Sequence, residues 1–211
     1  MADFINTIDA LGDDVVIDSL ILRTITEFKD NMLTMLGAGA FVNCQKLETV
    51  DLPSVTSANQ DIFGNCHALT SVNLPELQNV SSAMFYVCRS LPSIVLPKAT
   101  VLRSNCFSYC ASLTTVDLSA GVTIHTNAFA PCIAITRLIL RNAETVASLV
   151  NTNAFNGSPI ASGTGYIYVP SALLDSYKAA TNWSTYAAQF RALEDYTVDG
   201  TTTGALDETK I

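Results

Sequence analysis

The sequence predicts an α/β repeat solenoid: a right-handed coil of about seven 22-residue turns with a parallel β-ladder and helical caps. Three observations carry this expectation. First, Cys44, Cys66, Cys88, Cys110 and Cys132 fall 22 residues apart, and so do Phe41, Phe63, Phe85, Phe107 and Phe129. Three more columns keep that interval, those that begin at Leu47, Val50 and Leu52. Second, Val50 and Leu52 lie two residues apart, which is strand spacing. Ala40-Phe41, Cys44 and Leu47 lie three apart, which suits a single helical turn on the opposite wall. Third, the chain of 211 residues is 49% apolar and only 14% charged. That composition excludes intrinsic disorder and fits a structure that devotes most columns to a core.

From the N-terminus, residues 1–24 read as a cap, because a solenoid end exposes apolar faces and strand edges. Ala2–Leu11 is expected as a short helix with Phe4, Ile5, Ile8 and Leu11 on one face, ended by Gly12. Asp13-Asp14 starts the next element, and Val15–Leu22 fits either a helix or an extended piece.

Residues 25–170 form the expected solenoid. Ile25–Phe28 and Leu33-Thr34 read as a degenerate first turn, one period before the clear copies. Each copy then supplies a strand with Val50 and Leu52 inward and Thr49 and Asp51 outward. A second short extended piece is expected at Val55-Thr56-Ser57 and its equivalents. An insertion at Asn142–Asn153 delays Ala154-Phe155, and a second one carries Gly157, Pro159, Gly163 and Gly165. Tyr166–Pro170 is the last strand.

Residues 171–196 read as a C-terminal helical cap. Ser171 is the expected N-cap of a helix over Ala172–Ala180, with Leu173, Leu174 and Tyr177 on one stripe. Asn182 is the expected cap of a second helix running through Tyr186, Phe190 and Leu193. Trp183 and Tyr186 read as the apolar plug of this cap, the alternative being an aromatic binding spot. Residues 197–211 carry few apolar side chains and read as a loose tail or an extra extended piece.

The unit A-F-x-x-C-x-x-L-x-x-V-x-L-P, as in the copy from Ala40 to Pro53, resembles the BspA-type leucine-rich repeat of bacterial and protozoan proteins. The resemblance covers about Ile25–Pro170. The commoner leucine-rich repeat places Asn or Cys eight residues after its first Leu, where this chain has Val55, Leu77, Ala99, Gly121 and Ala143. Leu20–Glu27 and Tyr166–Trp183 resemble the end segments of such proteins from gut bacteria and their prophages. The resemblance implies adhesion, protein binding or surface display. Residues 1–11 lack the basic start and continuous apolar stretch of a secretory signal. Three routes follow: action inside the cell, release as part of a phage particle, or a signal absent from this chain.

Composition narrows the function classes further. A net charge of −8 argues against nucleic acid, whose phosphate backbone needs a basic face. No apolar run approaches the roughly 18–20 residues of a membrane span. No catalytic constellation is present: G-x-S-x-G, H-E-x-x-H, a phosphate-binding Walker loop and a strand followed by G-x-G-x-x-G are all missing. No cofactor or metal is implied, and the chain reads as a non-enzyme. The cysteine column invites a disulfide or zinc reading. Stacked Cβ vectors run parallel, however, and zinc needs four converging ligands. Six free thiols packed as small hydrophobes are therefore expected. His67 and His125 are expected to face solvent.

The informative surface is the outward face of the strand ladder. One column reads Glu27, Thr49, Ser71, Ser93, Thr115, Arg137, and its neighbour reads Lys29, Asp51, Asn73, Val95, Asp117, Ile139. Serine and threonine suit any solvated sheet. The functional expectation is a flat ligand-binding face formed by Thr49, Asp51, Ser71, Asn73, Ser93, Val95, Thr115, Asp117, Arg137 and Ile139. Its expected partner is a protein or a glycan. Val95 and Ile139 are the exposed apolar members, and self-association through this face is also allowed.

Overall fold

The computed structural model describes residues 23–211. The expected Ala2–Leu11 helix, Asp13-Asp14 and the Val15–Leu22 segment lie outside the described residues. From Thr24 onward the chain coils into stacked turns, each contributing to three walls.

The front wall is a parallel ladder of β1 (Glu27–Lys29), β3 (Thr49–Asp51), β5 (Ser71–Asn73), β7 (Ser93–Leu96), β9 (Thr115–Leu118), β11 (Arg137–Leu140), β13 (Tyr166–Val169) and β14 (Phe190–Ala192). Register follows the repeat: Phe28 pairs with Val50, Val50 with Val72, Ile94 with Val116 and Val116 with Leu138. The side wall repeats the device with two-residue strands: β2 (Met35–Leu36) with β4 (Ser57–Ala58), then β6 (Asn79–Val80), β8 (Val101–Leu102), β10 (Thr123–Ile124) and β12 (Ser148–Leu149). These strands begin two residues later than the Val55-Thr56-Ser57 expectation. Val55 is still turning the corner, its amide donating to the Leu52 carbonyl at 3.3 Å, and its side chain is buried.

The back wall holds the phenylalanine turns. Phe41, Phe63, Phe85, Phe107, Phe129 and Phe155 form a stacked column with neighbouring ring centroids 5.1–5.5 Å apart. Backbone bonds link this wall from turn to turn as well: Phe41 N–H donates to Ile62 O at 2.9 Å, and Phe85 N–H to Cys106 O at 2.7 Å. In the turns of Phe41, Phe63, Phe85 and Phe107 two positions adopt left-handed backbone, two residues before and two after the phenylalanine; Phe129 keeps only the first, at Asn127. They include Asp61, Ala83, Asn105 and Asn127, and Asn43, Asn65, Val87 and Tyr109. Asparagine recurs there because its short polar side chain tolerates φ near +60°.

All six cysteines are free thiols, and all are buried. Four of them do more than fill space. Cys66 Sγ donates to Phe41 O at 3.1 Å, Cys88 to Phe63 O at 3.2 Å, Cys110 to Phe85 O at 3.1 Å and Cys132 to Phe107 O at 2.9 Å. Each thiol thus ties its turn to the preceding one through a carbonyl that already accepts a backbone N–H from its own turn, as Phe41 O does from Cys44 at 3.1 Å and Phe63 O from Cys66 at 3.1 Å.

The front ladder is interrupted once, between β5 and β7. In neighbouring turns the residue that enters the strand donates to the turn before it: Thr70 to Glu48 O at 2.9 Å, and Thr114 to Pro92 O at 2.8 Å. Pro92 occupies that position in the intervening turn and has no N–H to give.

The C-terminal cap departs from the helical expectation. Ser171 begins a short 3-10 turn (Ser171–Leu173), and the α-helix proper is only Leu174–Ala179, without a side-chain cap. Instead, Ser171 N–H and Oγ donate to the Glu194 carboxylate. Asn182 caps no helix: its φ is +63°, and Nδ2 donates to Leu149 O at 2.7 Å and Val150 O at 3.1 Å. The segment that follows is 3-10 (Trp183–Gln189), and Phe190–Ala192 then leaves it to join the ladder as β14. The competing force is the open strand edge, whose unpaired backbone groups outweigh helical spacing. Trp183 Nε1 donates to Ala147 O at 2.6 Å, Ala147 N–H donates to Tyr177 Oη at 2.9 Å, and Tyr186 Oη donates to Thr152 O at 2.7 Å. These three aromatic residues are buried against Phe155 and Phe190, so they plug the coil and finish its edge together.

Candidate binding face

Strand alternation places one row of side chains toward solvent on the front wall. Glu27, Thr49 and Ser71 are aligned across β1, β3 and β5, with Lys29, Asp51 and Asn73 beside them. Ser93, Thr115 and Arg137 continue the first column across β7, β9 and β11, and Val95, Asp117 and Ile139 continue the second. The face divides into two unlike halves.

From β1 to β7 it is open. Ser71, Asn73 and Ser93 are exposed, Thr49 and Asp51 half-exposed, and Val95 is 58% exposed. Asn73 Nδ2 donates to Asp51 Oδ1 at 2.7 Å, which holds both side chains along the ladder. Lys29 pairs with Glu27 at 2.7 Å at the edge strand.

From β9 to β14 the same face is covered. Residues 197–211 are not a loose tail: Thr197 and Leu206 form an antiparallel bridge, and the loop between them folds back onto the ladder. Arg141 binds Asp117 through two bonds of 2.7 Å, and its third nitrogen donates to Thr202 O and Gly204 O. Arg137 Nη1 donates to Glu208 Oε2 at 2.7 Å. Ile139, expected as an exposed apolar contact, is only 1% exposed, because it packs with Tyr168 and Leu193 beneath Tyr166, Tyr196 and Leu206. It still points outward, and the C-terminal segment lies on top of it. Thr115 stays half-exposed at the border.

This cover leaves a groove beside it. Its walls are the Thr136-Arg137 and Thr164–Tyr168 segments on one side and Tyr196, Glu208 and Lys210 on the other, with Arg191 at one end. Tyr168 lies against Tyr196, ring centroids 5.2 Å apart, and the Arg191 guanidinium sits 4.1 Å above the Tyr166 ring. Burial pushes the Tyr168 phenol above its ordinary range, so it stays a neutral hydrogen-bond donor and acceptor. The sequence reading missed this groove, although the Y-I-Y-V strand and the late cluster of Arg191, Tyr196 and Lys210 were its available signal.

Among the described residues no group of His, Cys, Asp or Glu could hold a metal ion, and His67 and His125 are both half-buried. Among the same residues no helix is long and apolar enough to cross a membrane.

Comparison with known proteins adds a family to this geometry. A family model described as the BspA type leucine rich repeat region matches residues 24–161 in six copies. Several solved structures are similar. A leucine rich cell surface protein from Faecalibacterium prausnitzii shares 26% identity at a TM-score of 0.53, over 57% of this chain and 33% of that one. The pneumococcal vaccine antigen PcpA shares 14% identity at a TM-score of 0.54, over 80% of this chain and 40% of that one, a likeness of fold alone. A leucine rich repeat protein from Treponema pallidum shares 27% identity at a TM-score of 0.45, over 50% of this chain and 51% of that one. The chain thus spans between a third and about half of the length of these relatives. No curated protein matches it.

Proposed function

From the premise that this chain belongs to the BspA-type leucine-rich-repeat family, we propose that it is a non-catalytic recognition module of bacterial surface-adhesion type. Its ligand is a protein docked on the open half of the front ladder. The observation that carries this reading is Val95, 58% exposed on β7 where the open half meets the covered one, beside the polar residues Asp51 and Asn73 of its column. An apolar side chain there, two residues from Ser93 on its own strand and paired with Asp117 on the next, has the apolar-among-polar character of an interface anchor. A ladder of strand side chains presents a broad surface that suits a protein, whereas small glycans and small molecules are held in concave sites. The likeness to a protein described as a leucine rich cell surface protein supports the adhesion part.

The test is a binding screen of the purified chain against arrays of extracellular proteins and of glycans, repeated with Val95→Arg and with Asn73→Arg. A protein signal that falls more than about tenfold in both variants, the scale of a lost interface centre, supports the proposal. Undiminished binding in both variants removes the face from consideration. Signal confined to glycans, unchanged by either variant, overturns the protein assignment.

A further inference from the structure

We propose that the groove between the C-terminal segment and strands β11 and β13 is a second site, one that takes a carboxylate-bearing sugar. It is separate from the open half of the face and stands or falls independently of the protein-binding reading.

The groove is concave, with a volume of about 580 Å³, the size of a site for a small ligand. Register sets its floor. Arg137 is the strand partner of Tyr166, and Tyr168 is the partner of both Ile139 and Arg191. Aromatic and cationic side chains therefore alternate across adjacent strands at fixed spacing. Tyr196, half-exposed, offers a ring to the apolar C–H surface of a pyranose, while Tyr166, also half-exposed, carries the Arg191 guanidinium over one face of its ring. Arg137, Arg191 and Lys210 bring three positive charges to this one place in a chain whose net charge is −8. Glu208 and Asp207 partly offset them, so an incoming anion competes with these two carboxylates for the cations.

The present partners of these cations show what they select. Arg137 holds the carboxylate of Glu208 at 2.7 Å, and Glu208 is 72% exposed. An external carboxylate can replace so exposed a partner at small cost, because surface ion pairs contribute little. Arg191 Nη1 is fixed by the Ala188 and Phe190 carbonyls at 3.0 and 2.8 Å, which aims its planar group across Tyr166. Lys210 Nζ rests weakly, 3.4 Å from Thr197 O and 3.7 Å from Asp207. Glu208 thus occupies the position that the ligand's carboxylate takes, and Tyr166 and Tyr196 line the same groove, where a sugar ring would follow. Guanidinium groups suit this task through their planar, paired donors.

The experiment titrates the full chain with sialyllactose, a carboxylated trisaccharide, and with lactose as its neutral counterpart. Saturation-transfer NMR and calorimetry are the readouts. Sialyllactose binding that weakens as salt rises, with no binding of lactose, is expected. Arg137→Gln should lower affinity by about tenfold or more, the scale of one charge-assisted hydrogen bond. Glu208→Gln should raise it, because the internal competitor is gone. Thr164→Glu, at the exposed rim and outside the core, should abolish binding by repulsion while the cap stays folded. Equal binding of lactose, unchanged binding in Arg137→Gln and Thr164→Glu, or absence of sialyllactose binding in both the native chain and Glu208→Gln overturns the proposal.

Discussion

Arg141 grips Asp117 across neighbouring turns with two parallel bonds of 2.7 Å, and the same guanidinium holds the carbonyls of Thr202 and Gly204. Both side chains are 13% exposed. One residue therefore joins the repeat array to the segment that covers half of its face. Replacing Arg141 with Gln leaves a nearly buried carboxylate short of its donors and frees the two carbonyls, at a cost of about 1–3 kcal/mol. The expected outcome is faster protease cleavage within residues 197–211 and slower loss elsewhere, read by mass spectrometry of timed digests. Uniform loss of all fragments at one rate would show that the segment and the array open together.

The phenylalanine column is expected to dominate stability. Phe85 is fully buried between Phe63 and Phe107, with centroids 5.3 and 5.1 Å away. Phe85→Ala should cost about 3–5 kcal/mol, since it empties a site with rigid neighbours on both sides. A urea titration followed by circular dichroism measures it, and a loss below 1 kcal/mol would mean that the flanking rings collapse into the gap.

Backbone strain predicts a stabilising change. Tyr109 holds φ at +63° and is exposed, and its ring contact is an edge approach to Tyr86 at 5.6 Å. Left-handed backbone costs an ordinary residue roughly 1–2 kcal/mol, a cost that Asn largely avoids. Tyr109→Asn should therefore raise the melting temperature despite the lost ring contact. The opposite exchange, Asn65→Ala, should lower it, because Asn65 has φ of +61° and donates to Asn43 Oδ1 at 3.2 Å.

The thiols set an alkaline limit. Burial pushes Cys132 up to about 12 from the free-thiol value of 9.0, and burial is also the leading cause that raises Cys88, Cys106 and Cys110. In each case the folded chain keeps a proton that the unfolded chain releases. Stability is then fully present below pH 9 and falls as pH rises from there toward the folded-state values, by up to about 1.4 kcal/mol per pH unit for each such thiol. Chemical denaturation at a series of pH values between 7 and 11 should show a plateau followed by this decline. Native protein should also resist a thiol reagent at neutral pH, with six groups reacting after denaturation.

The periodic part of the molecule was legible from the amino acids, because a column repeated every turn reports a physical requirement many times over. Phe63, Cys66, Leu69 and Leu74 were assigned inward by spacing alone, and each is buried. What failed to show was whatever occurs once. The fold-back of residues 197–211 rests on single contacts such as Arg137 with Glu208, far apart in sequence and without a pattern. Strand alternation predicts Ile139 as an exposed outward residue, but it is 1% exposed, because alternation says nothing about what lies on top. At Asn182 the helix-cap signature competed with the carbonyls of Leu149 and Val150 at an unfinished edge, and the edge prevailed. The thiol bonds were legible only as columns of small apolar volume, since a donor's target depends on the stagger between turns.

The way the C-terminal aromatic plug reads its neighbour has a consequence for how such a chain can lengthen. Trp183, Tyr186 and Asn182 meet the array at its final turn, through Ala147, Leu149, Val150, Thr152 and Phe155. The turns of Phe41, Phe63, Phe85, Phe107 and Phe129 each repeat the same phenylalanine, thiol and strand positions. A whole 22-residue unit can therefore be duplicated or deleted in the interior without disturbing the fit of the plug. Each such event shifts the two ends by one strand spacing, about 4.8 Å. The gene thus encodes a ruler graduated in single strands, whose reach can be reset in whole steps while its end fitting stays the same.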